Sequence, residues 1–308
     1  MKEVLVVYYS QTGQLLDILK NVMSTVGDEQ VRITYHRIEP TNEYAFPWKA
    51  ADFYDAFPES FLQIPCALEP VQPEILEKKY DLIVLGYTVW YLTPAIPINS
   101  FLKSEEAKAL LNNTPVVTLI GCRNMWIQAQ EKLKILLNDC NAQLVGNIAM
   151  VDRHLNHVSV LTIVHWMLGG KKTRLLGFFP KPGISDKDIQ ESKKFGIPIK
   201  KALQSNQYSS LQRDLLVMGA VVIKPFLAVT DKRGNVLFSK WANLIIKKGS
   251  AGDPKRRKWL VLFKYYLLFA IWVIAPIVFI VFLLTYPLMI NKIRREKEYF
   301  SSVITKKD

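Results

Sequence analysis

VLVVYYSQTGQL, residues 4 to 15, changes character twice within twelve positions. Val4 to Tyr9 is a continuous apolar, β-branched run, Ser10 to Gln14 is polar and carries a glycine, and Leu15 to Val26 is amphipathic. That order predicts strand, polar loop and helix. The same alternation recurs outward along the chain. Val31 to Ile38 alternates as a second strand, Asp81 to Gly86 (DLIVLG) is a continuous apolar third, Pro115 to Gly121 (PVVTLIG) a fourth and Leu144 to Met150 a fifth. Helical periodicity occupies Ile98 to Leu111 and Trp126 to Asp139. Strands without polar alternation are covered on both faces. The βα order therefore predicts an α/β fold, a doubly wound five-stranded parallel sheet with its ligand at the carboxyl ends of the strands.

Three loops leave those ends. Ser10, Gln11, Thr12, Gly13, Gln14 and Leu15 join hydroxyls, a glycine and successive backbone amides to a helix start. Such a turn either holds a phosphate with N–H donors and the positive helix end, or caps the helix. Thr88, Val89, Trp90, Tyr91 and Leu92 set two large aromatics after the third strand, as a wall for a planar ring or as packing beneath the loop. Cys122, Arg123, Asn124, Met125 and Trp126 lead into the next helix, and Arg123 there can hold an anionic group. His154 and His157, with His165 beyond them, follow the fifth strand, where a proton donor reaches the same rim; ordinary hydrogen-bonded histidines are the alternative. Tyr91, Arg123, His154 and His157 are thus the candidates for catalysis. The histidine spacing defines no metal site, and Cys122 reads as a small buried hydrophobe ahead of a nucleophile.

The three loops, in this order and after these strands, resemble the flavodoxin-like superfamily of FMN proteins, which includes quinone reductases. GYTVWYLTPAIPINSFL (Gly86 to Leu102) looks like the family's third-strand segment, and ISDKDIQESKKFGIPIKKAL (Ile184 to Leu203) like its closing helix. The resemblance covers residues 1–205, with insertions at 40–77 and 153–183. It implies a flavodoxin-like fold, the FMN phosphate in the first loop and the flavin ring between the second and third. Leu15 departs from the pattern, because the family's loop commonly closes with Thr or Ser; backbone amides remain to serve there. YYSQTGQL, FPWKAADFYDAFPESF, IGCRNMW and a basic apolar tail are similar to the bacterial dialkylresorcinol-condensing enzymes. Those act beside a ketosynthase-like partner in making resorcinol lipids and flexirubin-type pigment components. That resemblance implies cyclisation or oxidation of a lipid-like ring intermediate, an aromatase-type step to which a flavin is suited.

The chain's 308 residues allow one large domain or two ordinary ones, and half of them are apolar. Cys66, Cys122 and Cys140 form no CxxC pair and no even framework, which excludes a zinc knuckle or disulfide scaffold and favours a reducing compartment. The net charge of +13 divides unevenly, with −6 on residues 1–152 and +19 on the rest. The basic part surrounds Tyr265 to Ile290, 26 residues without Asp, Glu, Lys or Arg. As helix that run is about 39 Å long at ~1.5 Å per residue, against roughly 30 Å of hydrocarbon, so a transmembrane helix is expected. Lys255, Arg256, Arg257 and Lys258 precede it, Lys292, Arg294, Arg295 and Lys297 follow it, and Trp259, Tyr265, Tyr266 and Tyr286 sit near its ends. Basic clusters on both sides give the positive-inside rule no preference, and Pro276 and Pro287 lie within the run. A single span and a helical hairpin both stay open. Met1 leads straight into the first strand without a signal-length apolar stretch, which places residues 1–205 in the cytoplasm, at a bacterial inner membrane.

Pro40 to Glu77 holds Tyr44, Phe46, Trp48, Phe53, Tyr54, Phe57 and Phe61, as a lid beside the flavin rim or a satellite core. Arg153 to Gly183 mixes VSVLTIVHWML with basic residues, as a membrane-surface element does, and residues 206–254 connect the domain to the anchoring segment 255–308. Together these features describe a membrane-associated, FMN-dependent oxidoreductase acting on a hydrophobic ring intermediate in dialkylresorcinol biosynthesis, with NAD(P)H as electron partner. An NAD(P)H:quinone reductase and a flavin-free membrane scaffold for biosynthetic partners are the alternatives. Membrane lipid, a lipid-like small molecule, a ketosynthase-like enzyme and a second copy of the chain are the expected partners. Nucleic acid is not, because the positive charge flanks an apolar run instead of interleaving with aromatics along a groove.

Overall fold

The computed structural model describes residues 1–305, so the last three residues of the segment 255–308 lie outside the described residues. Val4 to Val7 are fully buried, and because alternate residues of a strand face opposite sides, this one run feeds two cores. Val4 and Val6 pack with Leu15, Ile18, Leu19 and Val22, while Leu5 and Val7 pack on the other face with Ile98, Phe101 and Leu133.

The first half of the chain runs β1 (Lys2–Tyr8), α1 (Gln14–Met23), β2 (Val31–Arg37), α2 (Ala50–Asp55), α3 (Phe57–Phe61), α4 (Pro73–Leu76), β3 (Leu82–Trp90), β4 (Thr93–Pro94), α5 (Ile96–Leu102), α6 (Glu105–Leu111), β5 (Pro115–Cys122), α7 (Ile127–Asp139) and β6 (Gln143–Val151). Five strands pair in parallel in the order β2-β1-β3-β5-β6, and the two-residue β4 folds back antiparallel on β3. Counted along the chain, the parallel strands stand 2-1-3-4-5. That is the flavodoxin-like doubly wound order, and its switch point lies between β1 and β3. Gly86 suits that junction for a steric reason: a Cβ there would come 2.6 Å from Leu19 Cδ1, so a larger residue would force the buried Leu19 side chain to shift.

After β6 come α8 (Asn156–Gly169), α9 (Asp186–Glu191), α10 (Gly196–Ser205), α11 (Leu211–Val217), α12 (Pro225–Ile246), α13 (Arg257–Phe269), a π-helical turn at Ala270–Ile274 and α14 (Ala275–Ser301). Ile189, Ile199, Leu203, Leu211 and Leu215 complete the α1 face of the sheet. Val221, Ile223, Ala228 and Phe300 complete the other. Phe57 and Phe61 of the 40–77 insertion form a separate cluster with Ala242, Ile245, Leu260 and Phe263, with the Phe57 and Phe263 rings stacked at 3.8 Å.

Three elements differ from the sequence expectation, the first being Ile184 to Leu203, which is not one closing helix but α9 and α10 joined by a 3₁₀ turn at Ser192–Phe195. Ile98 to Leu111 is not one helix: Ser104 interrupts it and caps α6 by accepting from Ala107 N at 3.2 Å. The third strand does not stop at Gly86 but continues through Trp90, because β5 extends the ladder to Thr88 and β4 closes it. Pro254–Ser301 forms one 48-residue helical stretch, long and apolar enough to cross a membrane, with an 18-residue window of mean hydropathy 3.1 that is 6% buried. Its π-helical turn precedes Pro276, which has no N–H to donate to the turn before it.

Candidate functional site

At the carboxyl ends of β1, β3 and β5, parallel register sets Tyr8 beside Gly86 and Thr88 beside Gly121. Tyr8, Gly86 and Gly121 lie on the α1 face. The two-residue strand period carries Thr88 onto that same face, and Ser10 follows the end of β1 by two residues. Ser10 Oγ and Thr88 Oγ1 are buried without a hydrogen-bond partner among the described residues, and so is Asn124 Oδ1 of the third loop. Each buried, unsatisfied oxygen costs about 1–3 kcal/mol, which a polar ligand at the switch point would recover.

The start of α1 lies next to Ser10 in the chain. Gly13 is its N-cap at φ 82°, with no side-chain cap, and a Cβ at Gly13 would meet nothing within 4 Å among the described residues. The first-turn N–H groups have no intrahelical acceptor, and the helix start carries a partial positive charge. Thr12 Oγ1 accepts from Gln14 N at 3.4 Å. The glutamine side chains are engaged elsewhere. Gln11 donates to Tyr44 O (2.9 Å) and Ala45 O (3.1 Å) and accepts from Trp48 Nε1 (3.0 Å). Gln14 makes a two-way bridge to the Ile184 backbone, accepting from its N at 3.0 Å and donating to its O at 3.1 Å. These bonds clip the first loop to the segments at 40–77 and beyond 183. Leu15 is 2% exposed in the α1 core, so it offers the site its backbone only.

In the second loop, Trp90 meets Tyr9, Tyr44 and Trp48 at steep angles, with ring centroids 5.9, 5.1 and 5.3 Å away. Val89 pairs with Pro94, and Tyr91 and Leu92 make the turn in the left-handed region, at φ 50° and 63°. Tyr91 is a packing residue: its hydroxyl donates to Phe53 O at 2.6 Å and its ring lies 5.0 Å from both Phe53 and Phe57. Burial pushes its pKa well up, which keeps the phenol protonated.

In the third loop, Arg123 donates to Asn156 Oδ1 at 2.7 Å and Asn156 O at 3.3 Å, and Asn124 Nδ2 donates to the same Oδ1 at 2.9 Å. Burial lowers the Arg123 pKa to about 10, which leaves it a cation at neutral pH. The Cys122 thiol is pushed up by burial, so it is no ready nucleophile. Met125 packs toward Gly234, and Trp126 is buried beside a cavity described below. His154 is exposed. His157 Nε2 lies 3.1 Å from Ile271 O and its ring 5.1 Å from Trp272, so it ties α8 to the long helix.

One residue has no counterpart in the sequence reading. Asp231 of α12 is fully buried. Its Oδ2 accepts from Ile127 N (2.8 Å) and Gln128 N (3.3 Å), the first turn of α7, while Oδ1 has no partner among the described residues. Burial raises its pKa to about 7, with those two N–H bonds and Lys132 pulling the other way. Asp231 lines a cavity of about 270 Å³ with Asn124, Trp126, Met150, Ile223 and Leu227. In the sequence it stands in TDKRGN, beside Lys232 and Arg233, the pattern of a solvated face; only tertiary packing marks it. Asn124, which carries one of the three unpartnered oxygens, also lines this cavity.

No family model matches the chain, and no curated protein matches it. Among solved structures it is similar to a flavodoxin from the domain Archaea, at 14% identity over 66% of this chain and 99% of that one, with a TM-score of 0.38. It is also similar to a flavoprotein from Bacteroides eggerthii (18% identity, 54% and 98% covered, TM-score 0.37). A third is a flavoprotein in complex with FMN from Lactobacillus acidophilus (15% identity, 48% and 93% covered, TM-score 0.37). The fold class rests on the strand order and not on these likenesses.

Proposed function

We propose that the chain is a membrane-associated, flavodoxin-like oxidoreductase that uses FMN on a hydrophobic ring intermediate, in the aromatising step of dialkylresorcinol formation. The observation that carries this reading is the set of three buried, unpartnered oxygens, Ser10 Oγ, Thr88 Oγ1 and Asn124 Oδ1, beside an uncapped helix start at the switch point. These residues fit FMN. Ser10 and the backbone of Thr12 to Leu15 would hold the phosphate, Thr88 and Asn124 the polar edge of the ring system, and Trp90 would flank it.

When bound, FMN supplies the electron acceptance that oxidation of a ring requires. The chain's own side chains bind, orient and exchange protons. Arg123, fixed by Asn156, holds a cation at the third loop. Met150, Ile223 and Leu227 give the cavity apolar walls that suit a lipid-like substrate, beside the charged Arg153, Asp188 and Lys224. Asp231, a lining residue of that cavity, would give or take a proton near neutral pH. NAD(P)H as electron partner, a ketosynthase-like enzyme as supplier of the ring intermediate and self-association of the chain belong to the same proposal.

Titrating the purified protein with FMN should quench flavin fluorescence to a one-to-one end point. The double variant Ser10→Ala, Thr88→Val should bind on the order of a hundredfold more weakly, at about 1–1.5 kcal/mol per lost hydrogen bond. Absence of quenching with the wild-type protein would remove the reading. It would leave the flavin-free scaffold, which the edge-on packing of Trp90 by Tyr9, Tyr44 and Trp48 favours. For the finer step, cells lacking the protein should be depleted of an alkylresorcinol lipid. An unaltered lipid profile with flavin bound would point to quinone reduction by NAD(P)H.

A further inference from the structure

We infer that Pro254–Ser301 lies in the plane of one anionic membrane leaflet and does not cross the bilayer, so that both of its basic ends stay on the side of the sheet domain. The inference rests on the membrane association proposed above and specifies its topology. A helix standing across the bilayer would carry Arg256 and Phe300 about 66 Å apart at ~1.5 Å per residue, on opposite sides of roughly 30 Å of hydrocarbon. Here both ends are fastened to the same domain.

The contacts recur along the whole stretch. Arg256 is fully buried in its first turn, with Nε 2.8 Å from Asp55 Oδ1 and a second nitrogen 2.6 Å from Glu59 Oε1. Phe263 stacks on Phe57. The Ile271 carbonyl and the Trp272 ring meet His157. Phe279 and Phe282 pack on Phe226, with centroids 4.8 and 5.6 Å away. In the last turns Glu296 pairs with Lys232 at 2.6 Å, Tyr299 donates to Glu131 at 2.5 Å, Phe300 enters the core of the sheet and Gln212 donates to Ser301 O at 2.7 Å. The widest gap between successive contacts runs from Phe282 to Glu296, about 21 Å of helix at ~1.5 Å per residue, which is shorter than the ~30 Å needed to cross hydrocarbon.

The outward face is what a leaflet would cover. Leu268, Phe269, Val273, Ile280, Leu284 and Leu288 are exposed, the last at 88%. α8, joined to the helix through His157, adds exposed Leu161, Val164 and Leu168. Lys255, Arg257, Lys258, Lys292, Arg294 and Arg295 are exposed at the two ends, and none of them takes part in an ion pair among the described residues. Apolar side chains buried ~5–10 Å deep, between two clusters of unpaired cations, match the acyl boundary and the anionic headgroups of one leaflet. The arrangement brings the site to the membrane. Asn156, which holds Arg123 and Asn124, is the neighbour of His157 on the helix, and cavity-lining Leu227 is the neighbour of Phe226.

The full chain carrying one epitope before Met1 and another after Asp308 tests this. In spheroplasts both epitopes should resist added protease, and in inverted inner-membrane vesicles both should be digested. Digestion of the C-terminal epitope in spheroplasts, with the N-terminal one protected, would overturn the inference while leaving membrane association intact. Recovery of the protein away from membranes would overturn that association itself. Flotation with vesicles adds a readout of the leaflet's charge. Lys292→Gln, Arg294→Gln, Arg295→Gln together should weaken binding to phosphatidylglycerol-containing vesicles on the order of a hundredfold, with little change on pure phosphatidylcholine. Equal binding of variant and wild type to the anionic vesicles would count against the charged-leaflet contact.

Discussion

Arg256→Ala should destabilise the protein by about 2–4 kcal/mol and loosen the 40–77 insertion, because it removes the one cation between two carboxylates. The guanidinium uses its fork fully: Nε and the terminal nitrogens reach Asp55 Oδ1 at 2.8 Å, Asp55 O at 2.6 Å, and Glu59 Oε1 and Oε2 at 2.6 and 3.2 Å. Breaking a buried pair costs ~3–5 kcal/mol when the abandoned charge is sealed from water. Asp55 and Glu59 keep 26% and 15% side-chain exposure, so water relieves part of that cost and the lower range follows. Denaturant midpoints in detergent and protease cleavage within residues 40–77 read the two effects. Arg256→Lys should recover only part of the loss, since a point charge cannot satisfy both carboxylates at once. Neutralising Asp55 and Glu59 in the Arg256→Ala background should restore stability, because the cost lies in the unpaired charges. An unchanged midpoint in the single variant would mean that the apolar Phe57–Phe263 stack alone holds the helix to the insertion.

Arg256 also marks the limit of what the linear sequence discloses. Within KRRK it reads as one more cation beside an apolar run, and its partner Asp55 lies 201 positions away. Local pattern was enough elsewhere. Val4 to Tyr9 and Leu15 to Val26 appear as β1 over Lys2–Tyr8 and α1 over Gln14–Met23, because an apolar β-branched run and a 3.6-residue stripe each dictate their own element. The order of runs likewise yields the parallel sheet. The extension of β3 to Trp90 is not local, since Thr88 interrupts the apolar run and the ladder partners of Thr88 and Trp90 come from β5 and β4. In the site, the first loop was legible as a turn rich in donors. The engagement of Gln11 with Trp48, and of Gln14 with Ile184, depends on segments whose approach no spacing rule describes. Tyr91 looks exposed in the sequence for the same reason: the phenylalanines that bury it belong to an insertion read separately.

Asp231→Asn should stabilise the protein progressively from pH 5 to pH 8 relative to wild type, by up to about 4 kcal/mol at the upper end. The sign follows from the protons bound. An unfolded aspartate has released its proton above ~4, whereas buried Asp231 keeps it until about 7. The folded state therefore binds the extra proton between those values, and its contribution, complete below the unfolded pKa, is lost as pH rises through the folded one. Asparagine stays neutral throughout, and its Oδ1 can still accept from Ile127 N. Lys132, whose pKa burial lowers to about 8, acts in the opposite sense but only above that pH, where the unfolded chain holds the proton that the folded one has released. Melting temperatures of the two proteins at pH 5, 6, 7 and 8 should thus diverge up to about pH 7 and level off above it. A constant difference would mean that the carboxylate is already ionised when folded, which would remove it as a proton donor. The same variant separates the cavity from the unpartnered oxygens. Ser10, Thr88 and Asn124 are untouched by it, so FMN binding should persist, while oxidation of a ring substrate falls about 10²- to 10⁴-fold through loss of the proton-exchanging group. Loss of FMN binding as well would place Asp231 in support of the third loop, acting through the α7 amides that its other oxygen holds.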